Sequence, residues 1–182
     1  MCSFRLATTA TRLPSCAAAG ILLLLVADAH GGTPANSAET DTQAIEQLIS
    51  NYAAALNAEP IDMNLLSQVW LNSPEDSFIH PLGHEHGWEQ IKRNFYQKIM
   101  EGYFSARQLT IRDIDIHVYG DAAWAEFYWH FVAKSRNGGS TVETNGRETQ
   151  IYRKLDQGRW ALVHVHYSGM PATPPPNPSP AK

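Results

Sequence analysis

Cysteine is nearly absent from this chain of 182 residues: the two present, Cys2 and Cys16, both fall within the first 29 positions. With that segment set aside no thiol remains, so disulfides, thiol nucleophiles and thiolate metal sites are excluded and a hydrophobic core must supply the stability. Positive charge is scarce too. The net charge is -4 and no Lys/Arg stripe runs along the sequence, whereas a nucleic-acid surface requires a basic footprint. No internal repeat is present, and Ser168 sits in no nucleophile elbow, which removes a serine hydrolase from consideration. The apolar run at 17–26 is shorter than the ~20 residues that a membrane-spanning helix needs.

That run has another reading. Arg5 and Arg12 precede it and Ala27-Asp28-Ala29 follows it, the pattern of a secretory signal peptide over residues 1–29. The sequence therefore predicts a secreted or periplasmic chain with no stable membrane anchor after cleavage. Leu13-Pro-Ser-Cys16 precedes the apolar stretch instead of following it, so it is no lipidation box. Residues 30–40, rich in Gly, Pro, Asn and Ser, read as a linker, and 173–182 as a disordered Pro-rich tail. One domain is left, over 41–172.

Within it, Thr40 to Gln43 fits a capping box, and Ile45, Leu48, Ile49, Tyr52 and Leu56 follow at helical spacing, predicting an amphipathic helix over 41–58. Asp62 can cap a short helix carrying Met63, Leu66, Val69 and Trp70. A brief strand at 77–80 ends at Pro81, and Gly87 opens a third helix with Trp88, Ile91, Phe95 and Ile99 on one face. From residue 104 the period falls to 2. Strand-like segments at 105–119, 122–135, 141–155 and 159–168 are separated by turns short enough for antiparallel hairpins. Helices followed by a meander specify an α+β domain with helices on one face of a curved antiparallel sheet.

Histidine is the conspicuous functional residue type. His80, His84 and His86 lie within seven positions and His164-x-His166 forms a same-face pair, but no established metal-ligand spacing is matched and no metal or other cofactor is expected. The large rings, among them Trp70, Trp124 and Trp129, suit a packed core.

The order helix, helix, short strand, helix, long strands resembles the nuclear transport factor 2-like superfamily, which includes SnoaL-like polyketide cyclases and ketosteroid isomerases. His117-Val-Tyr-Gly120-Asp121-Ala-Ala, Glu148-Thr149, Gly158-Arg-Trp160 and Val163-His164-Val-His166-Tyr-Ser168-Gly169 are most similar to the association domain of calcium/calmodulin-dependent protein kinase II and its bacterial stand-alone relatives. The resemblance implies a cone-shaped half-barrel with three N-terminal helices packed on its concave face, a pocket inside the cone and an oligomer interface on the outer sheet face. Basic pocket positions of the association domain match His130, Gln150 and Tyr167, which leaves a neutral pocket here.

On this matching Tyr167, Val163 and Val165 point inward, and His164, His166 and Ser168 outward. The same alternation places Glu126, Tyr128 and His130 on an inner face, as an acid/base pair with a tyrosine hydrogen-bond donor. Gln150, Tyr167, Tyr52 and Trp88, the last near the cone mouth, complete the expected ligand-binding set. The implied function is binding of a small, mostly neutral molecule, with or without acid/base turnover of isomerase, cyclase or dehydratase type. The alternative is a non-catalytic assembly module. Either form is expected to be a homodimer or a larger homo-oligomer, with no nucleic-acid partner.

Overall fold

The computed structural model describes residues 34–170, so the predicted signal peptide and Pro-rich tail lie outside the described residues. Helix α1 spans Pro34–Asn57 and thus takes in positions 34–40 of the expected linker. Pro is favoured in a first helical turn, and Ala35, Ala38 and Glu39 are good helix formers. The expected capping box is consequently helix interior. Thr42 Oγ1 donates back to the Ala38 carbonyl at 3.0 Å, and Asp41 clamps the helix to the sheet by accepting from Lys154 Nζ at 2.7 Å and Trp160 Nε1 at 2.9 Å. Ile45, Ile49, Tyr52 and Leu56 form its buried stripe.

Helix α2, Met63–Val69, is capped as expected: the Asp62 carboxylate accepts from the Leu65 amide at 2.9 Å. Strand β1, Ser77–His80, pairs antiparallel with β2, Gly83–His86, so a segment expected as loop forms the outer arm of a hairpin. The third helix begins as α3 at Trp88–Gln90 and continues as a π-helix over Ile91–Glu101. Its wider turn buries Ile91, Phe95 and Tyr96, at spacings of four and five residues instead of the α-helical three and four.

Strands β3 (Phe104–Tyr119), β4 (Ala122–Ser135), β5 (Thr141–Lys154) and β6 (Trp160–Gly169) follow within a residue or two of the predicted segments. The sheet order is β2-β1-β6-β5-β4-β3, antiparallel throughout except for the β1/β6 pair. The result is α+β: a curved, unclosed sheet with the N-terminal helices against its concave face. Side chains from both layers, including Ile45, Leu66, Trp70, Phe78, Phe127 and Tyr152, make one continuous core.

Three register shifts interrupt the ladders of the described strands, the first at Ser105 near the start of β3, and the other two set which residues face that core. In β3 the register shifts between Arg112 and Asp115, with Asp113 at φ 54°. In β6, Tyr152 pairs with Leu162 while Ile151 pairs with His164, leaving Val163 as the extra residue. Trp160 and Leu162 are therefore buried on the same side as Val165 and Tyr167, whereas strict alternation puts them on the side of His164 and His166.

Candidate functional site inside the cone

The concave side encloses a cavity of about 210 Å³ walled mainly by apolar side chains: Leu56 from α1, Phe95, Ile99 and Met100 from the π-helix, Leu109 from β3, and Trp129 and Phe131 from β4. Glu148 of β5 stands in this wall, fully buried and directly opposite Tyr167 across the β5/β6 ladder. Its position follows from period-2 alternation, because Gly146, Glu148, Gln150 and Tyr152 are the buried residues of β5.

Burial pushes the Glu148 carboxyl up to about 7, against hydrogen bonds from Gln150 and Tyr52 that favour its charged form. Gln150 Nε2 donates to Glu148 Oε1 at 2.6 Å, and Gln150 Oε1 in turn accepts from the Tyr152 hydroxyl. On the helical side, Trp70 Nε1 donates to the Tyr96 hydroxyl at 2.9 Å, and Tyr96 is hydrogen-bonded to Tyr52. A buried polar chain thus runs from Trp70 through two tyrosines to the carboxyl. Burial, and next the Glu148 charge, pushes the Tyr167 hydroxyl up to about 12, so it stays protonated as a donor beside the acid.

His80 stands behind Tyr167, ring stacked on ring with centroids 6.4 Å apart. Its Nδ1 accepts from the Leu82 amide at 3.3 Å, so the neutral ring carries its proton on Nε2, 3.6 Å from Glu85 Oε1. Burial lowers the His80 pKa more than Glu85 restores it. Glu85 is itself held by Asn94 Nδ2 at 2.6 Å.

The remaining wall feature is Trp129, whose buried Nε1 has no hydrogen-bond partner among the described residues. Its ring lies against β5 where Gly146 leaves room: a Cβ at that position would meet Trp129 Cζ2 at 2.6 Å and the Ser168 carbonyl oxygen closer still.

The expected acid/base trio is elsewhere. On β4 the buried residues are Ala123, Ala125, Phe127, Trp129, Phe131 and Ala133, so Glu126, Tyr128 and His130 point to the convex face. The unbroken apolar row decides the parity, because burying it removes far more hydrocarbon from water than burying the polar row would. His130 Nε2 bonds Glu143 Oε1 at 2.8 Å in an exposed pair, and the Arg112 guanidinium lies 4.8 Å from the Tyr128 ring centroid. Glu126 and Tyr128 instead share a polar hollow of about 320 Å³ with Arg147, Thr149, His166 and Ser168.

Of the expected ligand-binding residues, Tyr52 and Tyr167 line the inner cavity, and Gln150 is buried beside Glu148 as its hydrogen-bond donor. Trp88 corrects the expectation of a mouth residue. It packs in the core against Trp70 and Tyr96, with ring centroids 6.0 and 6.2 Å away. The clustered imidazoles are divided by the sheet: His80 is inside, while the alternate residues of β2, His84 and His86, lie side by side outside, their rings tilted by 44° with centroids 3.9 Å apart. Among the described residues, no group of three or more His, Cys, Asp or Glu could hold a metal ion.

Residues 45–173 match the family model of the SnoaL-like domain. The chain belongs to the SnoaL-like family. The SnoaL-like domain is also similar to a nuclear transport factor 2-like superfamily protein from Salmonella enterica serovar Typhimurium, at 44% identity over 78% of this chain and 99% of that one, with a TM-score of 0.72. A member of the same superfamily from Streptomyces avermitilis shares the fold at 20% identity, covering 74% and 99% of the two chains with a TM-score of 0.63. So does hexachlorocyclohexane dehydrochlorinase LinA-type3 from Novosphingobium barchaimii, at 13% identity over 79% and 95%, with a TM-score of 0.66. No curated protein matches the chain.

Glu148 and His80 are the residues of this site to which the sequence assigned no role. Alternation of Glu148, Gln150 and Tyr152 with charged or exposed neighbours was the available signal. An acidic residue in phase with buried positions on a central strand marks a desolvated carboxyl.

Proposed function

We propose that this SnoaL-like domain is exported, binds a small, mostly neutral apolar molecule in its cone, and moves a proton to or from it through Glu148. The observation that carries the reading is a fully buried carboxyl in a cavity of otherwise apolar walls, held near pH 7 by its surroundings. Such a group is present in both protonation states at neutral pH, which suits general acid/base work. Glu148 as the carboxylate takes a proton from a carbon next to a carbonyl, and the electron pair of that C–H bond moves onto the carbonyl oxygen. Tyr167 donates a hydrogen bond to that oxygen. Returning the proton at another carbon isomerises the ligand; giving it instead to a hydroxyl on the next carbon, whose C–O bond breaks as the enolate electron pair forms the C=C bond, releases water and dehydrates it. A dehydrochlorinase among the fold relatives is consistent with proton abstraction inside a cone of this kind.

Mass spectrometry of small molecules that copurify with the exported chain tests the reading. The chain is expected to begin at His30 and to carry an uncharged compound released on denaturation. If nothing copurifies, and a panel of apolar carbonyl compounds leaves the melting temperature unchanged, the reading is wrong.

A second reading, assembly of copies through the convex face in the manner of the kinase association domain, is favoured by a separate observation. Glu126 and Arg147 lie on adjacent strands of that face, and among the described residues neither has an ion-pair partner. A two-fold axis between them would pair each with the other's copy.

A further inference from the structure

Depth in the cone can be read along one strand. Thr144, Gly146 and Glu148 share the concave side of β5, where the ladder to β4 runs without a register shift from Phe131/Thr144 through Trp129/Gly146 to Phe127/Glu148. Thr144 is exposed and Glu148 is buried, and four residues of antiparallel strand span ~14 Å. Glu148 and its neighbour Tyr167 therefore close the deep end, and Thr144 stands at the mouth.

Between the two ends the sheet side is thin. Gly146 pairs with Gly169 of β6, so neither strand puts a side chain into the cone at that rung. The Trp129 ring fills the Gly146 side, whereas a Cβ on Gly169 would meet nothing within 4 Å. The passage from the acid to the mouth is a slot, bounded by Trp129 and Phe131 from the sheet and by Phe95 and Ile99 from the π-helix.

The apolar lining does not stop at the mouth. Leu82, in the β1/β2 turn, and Tyr103, the residue before β3, both line the cavity and are 71% and 51% exposed. Exposed apolar surface that continues a cavity wall marks a binding surface. At about 210 Å³ the cavity is also smaller than the ~300–1,000 Å³ of a pocket that encloses a compact drug-sized ligand. A compact molecule held at Glu148 would leave both rim side chains in water, whereas a longer one covers them. Three extended backbone bonds advance ~3.5 Å, so ~14 Å corresponds to about twelve bonds of a saturated chain.

We propose that the ligand of the cone is a linear carbonyl compound with an unbranched apolar chain of about ten to twelve carbons, its oxygen at Tyr167 and its chain running past Trp129 and Gly169 and out over Leu82 and Tyr103. The inference rests on the cone being a ligand site and names the class of molecule that fits it.

The probes are the 2-alkanones from 2-butanone to 2-dodecanone, with cyclodecanone as a compact ketone of the same carbon count as 2-decanone. Calorimetry gives their dissociation constants for the full chain and for a full-length Leu82→Ser/Tyr103→Ser variant, whose substituted side chains are exposed and outside the core. In parallel, NMR in D2O follows exchange of the ketone α-hydrogens, with Glu148→Gln as the control. Affinity should rise ~2–4-fold with each added methylene, and 2-decanone should bind at least ~10-fold more tightly than cyclodecanone. The rim variant should weaken 2-dodecanone at least ~10-fold and leave 2-butanone within ~2-fold. A flat series, cyclodecanone bound as tightly as 2-decanone, or 2-dodecanone held unchanged by the rim variant overturns the proposal. The role of Glu148 is judged separately. Exchange on cyclodecanone that Glu148→Gln abolishes, together with a flat series, keeps the acid/base site and removes the chain. A rising series with no exchange above buffer upholds the chain and removes the proton transfer. No binding of any ketone removes both.

Discussion

Glu148 is a carboxyl buried in the apolar wall of the cone, and that environment has a thermodynamic consequence. Its pKa is about 7 in the fold against 4.5 in the unfolded chain, so between those values the native state holds the proton more tightly. The stability this provides is complete below about pH 4.5 and is lost as pH rises through about 7, a change of about 3 kcal/mol. His80 acts with the opposite sign, because its lowered pKa makes the native state shed a proton sooner on going up in pH. Glu148→Gln should therefore flatten the fall in stability between pH 5 and 8, as measured by urea denaturation across that range. In any turnover assay the same variant should lose on the order of 10²–10⁴ in rate. An unaltered stability profile would mean that the carboxyl is already ionised in the fold.

Legibility in the sequence differed by residue for a physical reason. Tyr52 could be picked out because a helical stripe has one apolar side that fixes its direction, whereas the inward direction of Tyr167 came from the family resemblance, since the bulge in β6 breaks the alternation of that strand. Glu126, Tyr128 and His130 drew attention as a polar row, yet they alternate with a row of Phe and Trp, and hydrocarbon area outweighs the appeal of an acid/base set. Reading the apolar row first would have turned β4 the right way and exposed Glu148 as the buried acid of its neighbour, since Phe127 pairs with Glu148 directly.

At the level of elements, the strands were readable almost to the residue because period-2 segments here are punctuated by Gly-containing turns. The π-helix was not, since its sequence carries apolar residues at spacings that also fit an α-helix. Strand β2 was hidden by polarity: an edge strand with one side to solvent, as Gly83–His86 is, needs little hydrocarbon. The contact between β4 and β5 supplies a sharp test of the cone wall. Gly146→Ala should force the Trp129 ring off β5 and lower stability by about 1–3 kcal/mol, seen as a lower melting temperature and altered tryptophan emission. A variant of unchanged stability and emission would show that the strand can yield there.

For the whole molecule, the two sheet faces divide the work. The concave face carries the core and the buried acid, while the convex face carries imidazoles, Glu126 and Arg147 and, among the described residues, is left uncovered by helices. If copies meet there, Arg147→Glu alone should weaken the assembly and Glu126→Lys combined with it should restore it, read as mass by light scattering at micromolar concentration. A monomer before any substitution, or no rescue in the double variant, would eliminate the paired-charge arrangement. The α+β class could be read from element order alone, whereas shape and the location of the cavity depend on curvature that no local pattern encodes.

The extra residue at Val163 acts on the molecule as a change of phase. On its N-terminal side Trp160 and Leu162 close the base of the core, and on its far side Tyr167 reaches the acid, although simple alternation would send these two sets to opposite faces. Removing Val163 would make Leu162 and His164 consecutive, as their partners Tyr152 and Ile151 already are, so plain alternation would then keep Trp160, Leu162, Val165 and Tyr167 on the one face. A deletion of one codon would thus leave the phenol beside the buried carboxyl and take away only the bend that the extra residue puts into β6.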